Sequence, residues 1–227
     1  TVFMGSYDQN LYAFNASTGD LVWNYTTGDH VFGSPAVFEG VVYFGSWDDS
    51  LYALNATNGD LLWNFTTGGA VFSSPAIADG VVYVGSQDHT LYALDAGTGN
   101  LLWNYVTGHG VSSSPAVANG VVYIGSNDGN LYTLDAGTGT LLWSSPLGDW
   151  VFSSPAVADG IVYVGSFDGN LYAIGSSPEE PPGSVTALHA TATTPHSITW
   201  DWTDPAPGGF SHVMLYLDGV FQENVTK

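Results

Sequence analysis

The chain repeats itself with a constant step. Tryptophans close the stretches NASTGDLVW, NATNGDLLW, DAGTGNLLW and DAGTGTLLW at Trp23, Trp63, Trp103 and Trp143, 40 residues apart each time. Gly5-Ser6 recurs as Gly45-Ser46, Gly85-Ser86, Gly125-Ser126 and Gly165-Ser166. Ser34-Pro35 recurs as Ser74-Pro75, Ser114-Pro115 and Ser154-Pro155. A fixed period of this length restricts the fold to architectures that stack one supersecondary unit on the next. Within one unit, VFSSPAIADG (71–80), VVYVGSQD (81–88), TLYALDA (90–96) and LLWNYVTG (101–108) combine β-branched and aromatic residues, punctuated by Gly, Asp or Asn. These read as four short strands, and no stretch has helical periodicity.

Four strands in each unit predict an all-β chain of β-propeller blades. The prolines of the S-P pairs lack a ladder donor and belong on an edge strand, such as one lining a central channel. The tryptophan stretch resembles the docking motif of the pyrroloquinoline-quinone (PQQ)-type β-propeller repeat, A-x-D-x-x-T-G-x-x-x-W. It stands here as Ala93, Asp95, Thr98, Gly99 and Trp103, and as Thr133, Asp135, Thr138, Gly139 and Trp143, while Asn15 and Asn55 replace the Asp in the first two units. The resemblance covers residues 1–174 and implies that the SSPAV strand is innermost, with the tryptophan strand outermost and its indoles between blades. It also implies a family of quinoprotein dehydrogenases, outer-membrane assembly scaffolds and surface proteins. Residue 1 then falls on the second strand of a blade and residue 174 on the third, so three whole blades (31–147) are flanked by two incomplete ones. That expectation makes the chain a piece of a longer protein. Residues 175–184, GSSPEEPPGS, read as a linker. Beyond it, in residues 185–227, VTALHATAT, SITWDWTD, HVMLYLDG and VFQENVT read as strands of a partial β-sandwich. They resemble the first half of a fibronectin type III-like domain of the sort found in surface proteins of methanogenic archaea.

Charge excludes whole classes of partner. There are 21 Asp and Glu against one basic residue, Lys227, and no Arg, so phosphate contacts are missing and nucleic acid is excluded. Anionic membrane surfaces are disfavoured by the same repulsion. An acidic surface suits high salt and collects divalent cations such as Ca²⁺ diffusely. The absence of cysteine removes disulfides and thiolate metal sites. No run approaches the roughly 18 apolar residues of a membrane span. Asn-x-Ser/Thr sequons at Asn15, Asn24, Asn55, Asn64 and Asn224 point to an extracytoplasmic glycoprotein.

No catalytic constellation emerges. Dehydrogenases of the resembled family hold the quinone with a Ca²⁺ cage, basic side chains and commonly a vicinal cysteine pair. This chain has neither Cys nor Arg, so bound PQQ and enzyme activity are not expected. The recurring Asp8, Asp48, Asp88, Asp128 and Asp168 sit in G-S-x-D turns, where a carboxylate accepts local backbone N–H bonds. No D-x-D-x-D-G calcium loop is present. His30, His89, His109, His189, His196 and His212 form no H-x-x-H or H-E-x-x-H pattern, so no metal site is expected.

The positions that vary between units are more informative. Before the turn Asp the series reads Tyr7, Trp47, Gln87, Asn127 and Phe167. Before the innermost strand it reads Asp29-His30, Gly69-Ala70, His109-Gly110 and Asp149-Trp150. Strands alternate direction, so both series emerge on one face. Tyr7, Trp47, Phe167, His30, His109 and Trp150 are the candidate partner-binding residues, for protein or glycan. Asn15 and Asn55 fall on the opposite face and Asn24 and Asn64 on the rim, so glycans there would leave the aromatic face bare. The sequence thus predicts a non-catalytic, extracytoplasmic cell-surface scaffold for adhesion or assembly. Carbohydrate binding and self-association into a filament or layer through open blade edges are the alternatives, with a PQQ-dependent dehydrogenase last among them.

Overall fold

The computed structural model describes residues 1–175 and, as strands only, residues 186–194, 197–203, 212–217 and 220–226. The chain divides into two units, Thr1–Ala173 and Ile174–Lys227. The first begins with β1 (Val2–Gly5), β2 (Asn10–Phe14) and β3 (Leu21–Thr26) in one sheet. Three four-stranded sheets follow. They are β4 (Ala36–Phe38), β5 (Val41–Ser46), β6 (Ser50–Asn55) and β7 (Leu61–Thr66); then β8 (Ala76–Ala78), β9 (Val81–Gly85), β10 (Thr90–Asp95) and β11 (Leu101–Val106); then β12 (Ala116–Ala118), β13 (Val121–Gly125), β14 (Asn130–Asp135) and β15 (Leu141–Pro146). A last sheet holds β16 (Ala156–Ala158), β17 (Ile161–Gly165) and β18 (Leu171–Gly175). Strand order follows chain order in every sheet, as in propeller blades. Two further antiparallel pairs, β19 (Thr186–Thr194) with β20 (Ser197–Thr203) and β21 (His212–Leu217) with β22 (Val220–Thr226), close the chain. Residues 176–184 of the expected linker lie outside the described residues, as do the side chains of the expected sandwich.

The first strand of each blade is shorter than its sequence suggests. Residues 71–80 read as strand, but only Ala76–Ala78 pair. Pro75 has no N–H to give the ladder, and the serine before it bonds sideways instead. Ser34 N–H donates to Ser74 Oγ at 2.8 Å, Ser74 N–H to Ser114 Oγ at 2.9 Å and Ser114 N–H to Ser154 Oγ at 3.2 Å. The innermost strands of successive blades are thereby laced together. At their far ends, Glu39-Gly40, Asp79-Gly80, Asn119-Gly120 and Asp159-Gly160 all have positive φ, the geometry of a tight two-residue hairpin.

The core lies between blades. Leu11 packs with Val31, Val42, Phe44 and Leu54 of the next blade; Leu51 packs with Val71, Val82 and Leu94; Leu91 packs with Val111, Val122 and Leu134. At the rim, Trp23, Trp63 and Trp103 each donate Nε1–H to a carbonyl of the next blade, Ala56 O (3.3 Å), Ala96 O (3.0 Å) and Ala136 O (2.9 Å). A Cβ on Gly59, Gly99 or Gly139 would lie within 2.8 Å of those indoles. The T-G of the docking motif is thus the seat on which the previous blade's tryptophan rests.

Candidate interaction face

One face of the arc is assembled by a backbone stitch that repeats at each blade junction. Val31 N–H donates to Ser6 O of the first blade at 3.0 Å, and the preceding carbonyl, His30 O, accepts Trp47 N–H of the second at 2.9 Å. The same pair recurs at Ala70-Val71, Gly110-Val111 and Trp150-Val151, where Phe167 N–H reaches Trp150 O at 2.9 Å. Each stitch valine is buried, so the residue before it is held at the surface beside the residue that precedes the turn Asp. Both variable series are brought to one face, and adjacent members touch.

The turn aspartates hold the other side of the stitch. Asp48 Oδ2 accepts Gly28 N–H from the preceding blade at 2.7 Å and the Tyr52 hydroxyl at 2.7 Å. Asp88 does the same with Gly68 and Tyr92, both at 2.6 Å, and Asp128 with Gly108 and Tyr132, both at 2.7 Å. Local backbone bonds are present too, Thr90 N–H to Asp88 Oδ1 at 3.0 Å and Asn130 N–H to Asp128 Oδ1 at 2.9 Å. Turn chemistry alone therefore understates these residues, which also tie blade to blade. Burial works against ionisation of Asp128, but hydrogen bonds from Tyr132, Asn130 and Gly108 outweigh it and hold the carboxyl below its ordinary value. The Tyr12 hydroxyl and Ser6 hold Asp8 down at about 2. Burial, then the neighbouring Asp88 carboxylate, push Tyr92 up to about 12.

The rings gather in two clusters. Around the first junction, Tyr7 lies 5.0 Å from His30 and 5.8 Å from Trp47, and Trp47 lies 4.7 Å from Phe72 and 6.1 Å from Phe32, centroid to centroid. Around the last junction, Trp150 stacks on His109 at 6.2 Å and meets Phe167 edge-on at 6.2 Å, while Phe152 touches Phe167 and His89 stacks on His109. His30 and His109, one position apart in the repeat, thus belong to separate clusters. Tyr7 (57% exposed), Trp150 (51%) and Phe167 (66%) are open to solvent. Among the described residues every exposed aromatic side chain, these three with Phe32 and Phe152, lies on this face. Between the clusters the side chains are polar: Gln87 Nε2 and the buried Asn127 Nδ2 both donate to the buried Ser112 Oγ, at 2.6 and 3.0 Å. The members that sequence reasoning missed are Phe32, Phe72, Phe152 and His89. Phe32, Phe72, Ser112 and Phe152 form a third varying series, and reading V-F-S-S-P as inner strand concealed it.

Beside Trp150 the face opens into a pocket of about 360 Å³, lined by Asn127, Asp128, Gly129, Pro146, Asp149 and Trp150. Asp149 Oδ1 accepts the Trp150 backbone N–H at 2.7 Å, which fixes the carboxylate. Asp29 makes the matching bond to His30 at 2.8 Å in the first cluster. The fold's PQQ-type repeat raises the question of a quinone. Residues 1–175 contain no Lys or Arg, so this face sets carboxylates and rings where a polycarboxylate quinone would need cations, and the donor set does not fit it. Among the described residues no group of three His, Cys, Asp or Glu could hold a metal ion. His109 Nδ1 accepts Gly110 N–H at 2.8 Å, which leaves the proton of the neutral ring on Nε2. Asn15 and Asn55 sit on the turns of the opposite face, where their Oδ1 atoms accept Ser17 N–H (2.9 Å) and Thr57 N–H (2.8 Å). Asn24 in β3 and Asn64 in β7 are exposed on the outer strands. Asn224 lies in β22, whose side chains are outside the described residues.

Four-stranded antiparallel sheets, laced at the inner strand and locked by tryptophans at the rim, define a β-propeller of PQQ-like repeats. The chain belongs to the family described as outer membrane protein assembly factor BamB, whose model matches residues 7–111 and 106–177. Its structure is similar to that of BamB from Moraxella catarrhalis, with a TM-score of 0.68 and 24% identity, over 79% of this chain and 56% of that one. It is also similar to the computationally designed Ika8 protein, with a TM-score of 0.72 and 19% identity, over 98% of this chain and 70% of that one. A stretch of 38 residues is 53% identical to the quinoprotein alcohol dehydrogenase PedH of Pseudomonas putida KT2440, covering 17% of this chain and 6% of that protein. The chain thus spans just over half of the solved BamB and a small part of the dehydrogenase.

Proposed function

We propose that this chain is a non-catalytic, extracytoplasmic β-propeller scaffold of a cell-surface or envelope protein, and that its aromatic face docks a partner protein. One observation carries the reading: exposed rings are confined to the face where the repeat is free to vary. Core packing fixes the stitch valines and the docking tryptophans, whereas residues 7, 47, 87, 127 and 167 change from blade to blade. Large aromatic side chains held rigidly at such positions are the usual anchors of protein contacts. Membership of an assembly-factor family supports a scaffold role. The lack of cationic side chains in residues 1–175 argues against quinone chemistry. The sequons on the opposite face and rim support an extracytoplasmic location.

Site-specific photo-crosslinking in the native host tests it. Crosslinkers placed at positions 7, 47 and 167 are expected to trap one discrete protein, and those at 20 and 60 on the opposite face are not. Equal trapping from both faces, or alcohol oxidation by the purified chain supplied with PQQ and Ca²⁺, overturns the reading.

A further inference from the structure

We infer that the pocket beside Trp150 receives a cationic side chain of the partner protein, an arginine above all, so that the docked segment is basic; this rests on the aromatic face being a protein contact surface. Its lining includes Trp150, half exposed, and Asp149, whose carboxylate is held by its bond to the Trp150 backbone N–H. Asp128 adds a second carboxylate that its hydrogen bonds keep ionised. The one side-chain amide in the lining, Asn127, is 8% exposed and donates one Nδ2–H to Ser112 Oγ. The side chains of the pocket therefore offer a π-face and negative charge. A guanidinium satisfies both at once, stacking on the indole while its fork meets the carboxylate.

The rest of the molecule points the same way. The first cluster repeats the acid-before-ring arrangement at Asp29-His30, flanked by Tyr7 and Trp47. Two acid-and-ring sites thus stand at the two ends of the arc, with polar Gln87 and Asn127 between them, as a segment carrying two spaced cations requires. A net charge of −20 draws such a segment in and steers it. A second copy of this chain is a poor occupant, because it brings 21 acidic residues and one lysine to the contact. Sugar hydroxyls also suit acid and ring together, but they gain nothing from the charge.

The test is titration calorimetry of the whole chain with a synthetic peptide of alternating Gly and Arg, its citrulline counterpart, and an uncharged glucan oligosaccharide. The arginine peptide is expected to bind and to weaken with added salt, with the citrulline peptide at least about tenfold weaker. Trp150→Ala and Asp149→Asn are each expected to lower affinity about three- to tenfold. Ala70 occupies the position of Trp150 in another blade, so the first variant keeps a residue the repeat already folds with. Asp79→Asn is the charge control: it removes one carboxylate from the opposite face at a positive-φ position where the next blade carries Asn119. It should leave affinity within about twofold, since it is screened from the site. Equal binding of the citrulline peptide, equal loss in Asp79→Asn and Asp149→Asn, or binding of the glucan alone overturns the inference. If crosslinks still form from positions 7, 47 and 167 while the peptide fails, the docking face stands and the cationic occupant falls; if both vanish, both fall.

Discussion

At Gly85 the absence of a single methyl group lets two blades meet. A Cβ there would stand 2.4 Å from Val111 Cγ1 and 2.7 Å from the Val111 carbonyl oxygen. Neither can retreat, because Val111 is wholly buried and its N–H is bonded to Ser86 O. The valine of each V-x-x-S-P and the glycine of the G-S in the preceding blade are therefore one contact, seen as two unrelated motifs in sequence. Gly85→Ala is expected to destabilise the chain by about 1–3 kcal/mol through overpacking. Gly97→Ala should stay within about 0.5 kcal/mol, because a Cβ there meets only Asp95 Oδ1 at 3.5 Å and other blades carry Ser17 or Thr57 at that position. Urea melts of the two variants check both values, and equal costs would remove the assigned role of the G-S glycine.

Among the elements, those set by a short local rule were legible. The β-branched and aromatic runs located the second, third and fourth strands of each blade, and the Gly, Asp and Asn between them located the turns. The first strand was overextended because V-F-S-S-P looks apolar and β-prone, while its serines and proline turn its hydrogen bonds toward the neighbouring blade. The site was legible where it varied, at Tyr7, Trp47, Phe167 and Trp150. It was illegible where partners lie in other blades: nothing local pairs His89 with His109 or brings Phe72 onto Trp47. The same limit hid the interblade half of the aspartate's work. Asp88 binds a glycine N–H 20 residues upstream and a tyrosine four residues on, and only the second spacing is local. Asp88→Ala strands the Gly68 N–H and the Tyr92 hydroxyl together, an expected cost of about 2–4 kcal/mol. Tyr92→Phe in that background should recover part of it, since it removes one stranded group. A double-mutant cycle by chemical denaturation measures the coupling, and strict additivity would show that the two residues act separately.

On the scale of the whole molecule, the same tyrosine–aspartate pairs set opposite limits of pH. For Asp128 the folded-state pKa lies below the ordinary value, so folding favours the ionised form. That stability is present above the unfolded carboxylate pKa of about 4 and is lost as pH falls through the folded value. For the tyrosines the sign reverses. Burial first, then nearby carboxylates, raise Tyr43, Tyr52, Tyr83, Tyr92 and Tyr132 above their ordinary value of 10.0. Folding there favours the protonated hydroxyl, so the contribution is complete below the unfolded pKa and is lost as pH rises through the folded one, about 12 for Tyr92. The Tyr52, Tyr92 and Tyr132 pairs with aspartate stand at the first three blade junctions, so their losses act together and not blade by blade. Net self-repulsion, already large at −20, grows with each phenolate and adds to the alkaline loss, whereas in acid protonation relieves it and offsets part of the loss. The chain is therefore expected to be the more sensitive to base: stable from about pH 5 to 9, with unfolding between about 10 and 12 that coincides with phenolate absorbance, and with added salt shifting that limit upward by screening. Tyrosine titration followed together with circular dichroism checks it. Complete ionisation of the tyrosines with the β-signal intact would show that the junction tyrosines ionise in the folded chain, and that their protonated hydroxyls do not hold the fold together.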